Sequence, residues 1–331
     1  MNKLNFFILT LIILVIISSS SVNAQEEPKY QTNLIKKIYS IGTASINGTY
    51  YPLGNSISRL LGNEFKNIVF IAEPTAGSIA NVAYLRKKQI DLALMQSDVA
   101  WMAYNGSFIY ASNPFKELRV IASLYSEKIQ IVVRTDSNIN SLSDLKGKKI
   151  AVGEKESGSA AGAIQILEKS GLKAEKDYEL VYERFTKSTE SLFDGYIDAI
   201  FYVGAVPADG ITRLANRIPI KLLEIPNAVI SSLTKDFPYY CVENIGAESY
   251  RGQLKRVTTL GFKALLTCNN RLSNEEVMTI LMILYANPKI YSEQNELLIE
   301  INKEDGLVGV EPSMVHEGAK KFFYPETNLK K

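Results

Sequence analysis

The stretch IGTASINGTYYPLGNSISRLL, residues 41–61, decides the fold. Ile38 to Thr43 predicts a short strand, Ala44 to Thr49 a small polar turn, and a helix follows from Tyr50 or Tyr51. Pro52 then sits in the first helical turn, where its missing N–H had no partner. A strand, a glycine turn and a helix leave free N–H groups at the helix start, and the macrodipole adds partial positive charge there. The turn reads either as an anion site or as an ordinary connection. Gly42 and Gly48 are too far apart for a dinucleotide fingerprint, and no Walker lysine follows.

Upstream, Phe6 to Ile17 is a near-continuous apolar run, and Val22-Asn23-Ala24 suits a signal peptidase. The run is too short to span a bilayer, so residues 1–24 are expected to be a cleaved secretory signal peptide. Residues 25–37 form a polar lead-in, and the mature protein is expected to be periplasmic. The 331 residues are 46% hydrophobic and 22% charged, with a net charge of +2. That suits two ordinary globular domains and gives no argument for nucleic acid. One histidine, His316, excludes a histidine-rich metal site and makes a Ser-His-Asp triad hard to build. It is read as a surface residue. Cys241 and Cys268 either form a disulfide, worth about 3 kcal/mol, or stay as separate buried thiols.

Strands and helices alternate through the middle of the chain. Strands are expected at 67–73, 91–96, 118–124, 129–134, 149–153, 178–185 and 197–203. Helices are expected from Gly77 to Lys88, from Ser97-Asp98 to Tyr104, over 142–146, after Glu156 to Ser159, and over 186–195. In the fourth of these, Ala160, Ala163, Ile164 and Leu167 share one face. Alternation of this kind means parallel sheets covered by helices. Val257 to Cys268 reads as one long strand. A helix capped by Ser273 follows, with Val277, Ile280, Leu281 and Leu284 inward, then helices over 289–301 and from near Pro312.

Four small polar turns share one chemistry: Ala44 to Thr49, Thr75 to Ser78, Gln96 to Asp98, and Glu156 to Ser159. Each lies between the C-terminal end of a strand and a helix N-terminus, the edge where open parallel sheets bind ligands. With Tyr50, Tyr51 and Tyr202 nearby, they point to a small anion held by N–H and hydroxyl groups, and a carboxylate fits. The candidate ligand-binding residues are Ala44, Ser45, Asn47, Gly48, Thr49, Tyr50, Tyr51, Thr75, Gly77, Ser78, Gln96, Ser97, Asp98, Arg134, Ser157, Gly158, Ser159 and Tyr202. Asp98 also has a reading as a helix cap. Arg134 either meets a carboxylate across a cleft or pairs with Asp136 or Asp144. Only one of Tyr50 and Tyr51 is expected to face the ligand.

The runs IGTASINGTYYPLG, PTAGS, QSDVAWMAYNG, FKELRVIASLY, VVRTDSNINSLSDLKGKKIAVG, SGSA and IDAIFYVGAVP, in this order, resemble the TAXI family. These are extracytoplasmic solute receptors of TRAP transporters, also called immunogenic proteins. The resemblance runs from about Ile38 to the C-terminal helices. It implies an α/β, periplasmic-binding-protein-like fold, with two lobes of mostly parallel sheets and a ligand cleft between them. Lobe 1 would take 38–126 and 245–331, and lobe 2 would take 127–244. It further implies a ligand such as glutamate, glutamine or a related dicarboxylate, and TRAP integral membrane subunits as partners. No catalytic residue, metal or cofactor is expected. The alternatives are an enzyme on the same fold, with Glu156 and Ser157 as its candidates, or a surface antigen that no longer serves transport. The chain departs from the family where Ala44, Ile46 and Asn47 replace glycines and where Glu156 replaces a small residue.

Overall fold

A computed structural model describes residues 37–65, 67–286 and 295–325. The leader, most of the lead-in and part of the helix expected at 289–301 lie outside the described residues. Of that last helix, only the 3-10 turn Glu296–Ile299 is described. No helix among the described residues is long and apolar enough to cross a membrane.

The opening stretch folds as its pattern requires, with β1 at Lys37–Gly42 and α1 at Tyr50–Glu64. There follow β2 (Ile68–Glu73), α2 (Ser78–Arg86), β3 (Leu92–Gln96) and α3 (Ser97–Asn105). β4 is a single strand over Leu118–Arg134. Two strands were expected there, at 118–124 and 129–134, with Ser126, Glu127 and Lys128 in the gap between them. The ladder carries those polar residues through. Beyond it lie β5 (Lys149–Gly153), α4 (Gly158–Lys169), β6 (Glu179–Tyr182), α5 (Phe185–Phe193) and β7 (Ala199–Gly204). Then come α6 (Asp209–Arg217), β8 (Ile220–Leu222), α7 (Asn227–Asp236) and β9 (Cys241–Ile245). The long strand β10 (Val257–Asn269), α8 (Asn274–Ala286) and α9 (Glu317–Phe323) complete the order.

The main path through the sheet is β2-β1-β3-β10-β4-β7-β5-β6, with β8 on β4 and β9 on β10. β1 pairs in parallel with β2 and β3, and β5 pairs in parallel with β6 and β7. β4 and β10 run antiparallel to each other between these two parallel blocks. They exchange partners near Lys128 and Gly261. Beyond that point β4 pairs with β7 and β10 with β9.

Successive side chains on a strand face opposite ways, so a sheet covered on both sides makes two cores. On the first block, Tyr39, Leu53, Leu94 and Leu266 fill one face and Val82, Leu85, Met95 and Leu265 the other. On the second block, Ile131, Ile150, Phe201 and Phe262 pack one way and Val132, Ala151, Ile200 and Ile211 the other. Along β4 the first pair of cores ends at Tyr125 and the second begins at Ile129. The polar residues Ser126, Glu127 and Lys128 lie between them.

Two expectations need correction. His316 is buried, because its ring caps α9: Nδ1 accepts from Gly318 N at 3.0 Å while Nε2 meets Leu272 O at 3.0 Å. Burial lowers its pKa. In α4 the core face carries Ile166, while Ile164 is only half-buried. Of the two alternatives for the cysteines, the structure has separate free thiols, with Cys268 buried and Cys241 half-buried. The helix capped by Ser273 forms as expected, with Val277, Ile280, Leu281 and Leu284 buried. Ser273 Oγ accepts from Glu276 N, and Glu276 Oε2 accepts from Ser273 N.

Candidate functional site

The turn after β1 is held from both sides. Gly48 N donates to Ser45 O at 2.8 Å, and Thr43 Oγ1 donates to Glu73 O at 2.7 Å. Thr75 Oγ1 donates to Thr43 O, and Asn81 Nδ2 reaches both Thr43 O and Leu94 O. These bonds draw the C-terminal ends of β1, β2 and β3 together. In the second block, Ser157 caps α4 by accepting from Ala160 N at 3.1 Å. Ahead of Ala160 in that first turn, the N–H groups of Gly158 and Ser159 have no intrahelical acceptor. Ser159 Oγ accepts from Val203 N, which fixes α4 on β7.

The two blocks meet at these turns. Glu156 O accepts from Ile79 N and Ala80 N at 3.1 and 3.2 Å, and Thr49 Oγ1 lies 2.9 Å from Tyr202 OH. Between them is a cavity of about 80 Å³. Of the expected residues, Ala44, Ser45, Gly48, Thr49, Tyr50, Gly77, Ser78, Gln96, Ser157, Gly158, Ser159 and Tyr202 line it. Gly158 is required where it stands, because a Cβ there would lie 2.1 Å from Gln96 Oε1 and 3.0 Å from Ser78 Oγ. Asn47 lines an adjoining outer chamber, which shares Gly48, Thr49 and Tyr202 with the cavity.

The others point elsewhere. The guanidinium of Arg134 is forked onto the Asp136 carboxylate at 3.0 and 2.9 Å and also meets Phe193 O. Thr75 Oγ1 accepts from Gly77 N, and Ser97 Oγ accepts from Lys263 N. Neither Ser97 nor Asp98 caps α3, because both lie inside its first turn and Gln96 holds the cap position. Asp98 is fully buried, and among the described residues neither carboxylate oxygen has a hydrogen-bond partner. Burial pushes its pKa up to about 7. Tyr50 faces inward and Tyr51 is not among the lining residues. The Gly77–Ser78 turn was expected to offer N–H groups to an anion. Those of Ile79 and Ala80, at the start of α2, are already taken by the Glu156 carbonyl.

Sequence reasoning missed Glu127. It is 1% exposed on β4, lines the cavity, and accepts from Tyr50 OH at 2.6 Å and from Tyr125 OH at 3.4 Å. Burial pushes its pKa up to about 8. No lysine, arginine or histidine is among the residues lining the cavity. The available signal was a glutamate inside the apolar run LRVIASLYSEKIQIVV, which read as a break between strands rather than as a buried acid. Glu156 and Ser157, the candidates for an enzyme, have structural tasks: the first caps α2 through its carbonyl and the second caps α4 through its hydroxyl.

The NMT1-like family model matches residues 41–326, and the chain belongs to that family. Among solved structures, an entity assigned as an L-cystine ABC transporter from Listeria monocytogenes is 14% identical, with a TM-score of 0.51, over 80% of this chain and 98% of that one. PhnD1 from Prochlorococcus marinus in complex with methylphosphonate is 15% identical, with a TM-score of 0.50, over 80% of this chain and 91% of that one. XAC2383 from Xanthomonas citri bound to ATP is 12% identical, with a TM-score of 0.50, over 80% and 89%. These are likenesses of fold, and they agree with the α/β, periplasmic-binding-protein-like architecture described above.

Proposed function

We propose that this member of the NMT1-like family is a periplasmic solute receptor of the TAXI type. In this reading it binds a small carboxylate, such as glutamate, glutamine or a related dicarboxylate, and delivers it to TRAP membrane subunits. It is exported through the leader at 1–24 and is a binding protein rather than an enzyme. The observation that carries the reading is the cavity itself. It lies between the N-terminal turns of α1 and α4, and its lining brings serine, threonine and tyrosine hydroxyls together with the carboxyls of Glu127 and Glu154. Helix N-termini with free N–H groups favour a carboxylate.

The two pairs of cores are the two lobes of this receptor. They are joined by β4 near residues 126–128 and by β10 near residues 262–264, where the cores change. On β10 the division follows those cores rather than residue 245, since Ile245, Tyr250 and Val257 pack with the second block. Two strands crossing between lobes make a hinge, and closure around the solute follows. The lobe-to-lobe bonds from Glu156 O and Tyr202 OH are those of a closed cleft.

The test is a thermal-shift and calorimetry panel of L-glutamate, L-glutamine, glutarate and 2-oxoglutarate on the purified protein. A solute at 100 times its Kd should stabilise the protein by about 2.7 kcal/mol. If no member of the panel binds or raises the melting temperature, the reading fails.

A further inference from the structure

Gly48, Thr49, Phe185 and Tyr202 line both the cavity and the outer chamber, a space of about 390 Å³. They are therefore the boundary between the two. Two of them meet tip to tip across the blocks, with Thr49 Oγ1 and Tyr202 OH 2.9 Å apart. Tyr202 is 8% exposed, and its ring is buttressed by stacking on Phe185 with centroids 3.9 Å apart. The next residue ties the end of β7 to α4, because Val203 N donates to Ser159 Oγ. Gly204 then leaves the pair its room: a Cβ there would stand 2.7 Å from Tyr202 OH and 2.9 Å from Thr49 Oγ1. The Thr49 side chain is not spent on α1. It stands at the cap position of that helix but makes no cap hydrogen bond.

We infer that Thr49 and Tyr202 set the length of solute the site accepts. The pair is a partition between cavity and chamber, and it is complete only when the two blocks meet. This deepens the proposed function and rests on it, but it concerns the length of the solute and not its class. A solute that ends short of the partition lets the two hydroxyls meet. One that is a methylene longer holds them apart or is compressed against them, and inserting a methylene into a filled space costs about 1–3 kcal/mol. Discrimination therefore acts as the cleft shuts. Space lies beyond the partition, so trimming either member admits the longer solute.

The experiment is isothermal titration calorimetry of four pairs of solutes that differ by one methylene. They are glutarate and adipate, L-glutamate and L-2-aminoadipate, L-glutamine and L-homoglutamine, and 2-oxoglutarate and 2-oxoadipate. It is run on the wild type and on Thr49→Ala. In the wild type, wherever the shorter member binds, the longer should bind about tenfold or more weakly, the lower bound for one methylene too many in a fitted pocket. In Thr49→Ala that ratio should fall to about threefold or less, under ~0.7 kcal/mol. The ratio is the readout because a loss of fold stability weakens both members alike. Should Thr49→Ala fold poorly, Tyr202→Leu trims the partition from the other block and should narrow the ratio in the same way. A longer member that binds the wild type as tightly as its shorter partner, or more tightly, overturns the inference and leaves the receptor standing. A ratio that stays at its wild-type value in the variant overturns the role of the pair. If no member of any pair binds, the receptor reading and this inference fall together.

Discussion

Replacing Gly158 with alanine tests the cavity and the closure of the cleft together. Gly158 opens α4 in one block, while Gln96 and Ser78 belong to the other. The added Cβ would lie 2.1 Å from Gln96 Oε1 and 2.6 Å from Gln96 Cδ, more than an ångström inside ordinary contact. Either the blocks part by that amount, or the buried Gln96 side chain swings into the space the solute needs. Overpacking of this kind costs about 1–3 kcal/mol, so Kd should rise by roughly five- to 150-fold. The substitution leaves each block intact, because alanine is favoured over glycine in a helix. Binding should therefore weaken while the melting temperature of the empty protein stays within a few degrees of wild type. Calorimetry with L-glutamate and a thermal melt measure the two quantities. A Kd within about twofold of wild type, less than ~0.5 kcal/mol, would refute both the cavity as the site and the contact across it. Gly77→Val is a poorer test. Gly77 has φ +118°, and a Cβ there meets Ser157 Cα at 3.2 Å, so a β-branched residue is strained as well as crowded.

Three further outcomes follow from the same geometry. The raised pKa of Asp98 means that the folded protein holds a proton which the unfolded chain gives up above its ordinary value near 3.8. Stability from this group is therefore full below that value and is lost as pH rises toward about 7. Asp98→Asn should thus gain on wild type by a few kcal/mol more at pH 8 than at pH 4; denaturant melts at the two values measure it, and an equal difference would count against the buried acid. Arg134→Ala should leave solute affinity unchanged, because its guanidinium is engaged by Asp136 and Phe193 O outside the cavity lining; a tenfold loss by calorimetry would restore it to the site. Thiol titration should find both Cys241 and Cys268 after denaturation without reductant, and a reductant should leave the melting temperature unmoved.

The sequence by itself determined the elements and their edge. The short continuous apolar run in Lys149–Gly153 and the 3.6-residue period in the Ser273-capped helix are local facts, and both elements formed where the pattern put them. Small polar turns after strands are local too, and they marked the sheet edge at which the cavity opens. What the tertiary structure alone decided was the fate of charge. His316 looked exposed and proved to be a buried cap, because its partners Gly318 and Leu272 come from the start of α9 and from the segment before α8. Arg134 had two readings, a ligand contact or a pairing with Asp136 or Asp144, and the fold gave it to Asp136. Glu127 looked like a strand break and became the buried acid of the cavity, because Tyr50 lies 77 positions away in sequence and 2.6 Å away in space. A side chain's polarity is written in its type, but its burial, and hence its protonation and its partner, depends on which distant elements close over it.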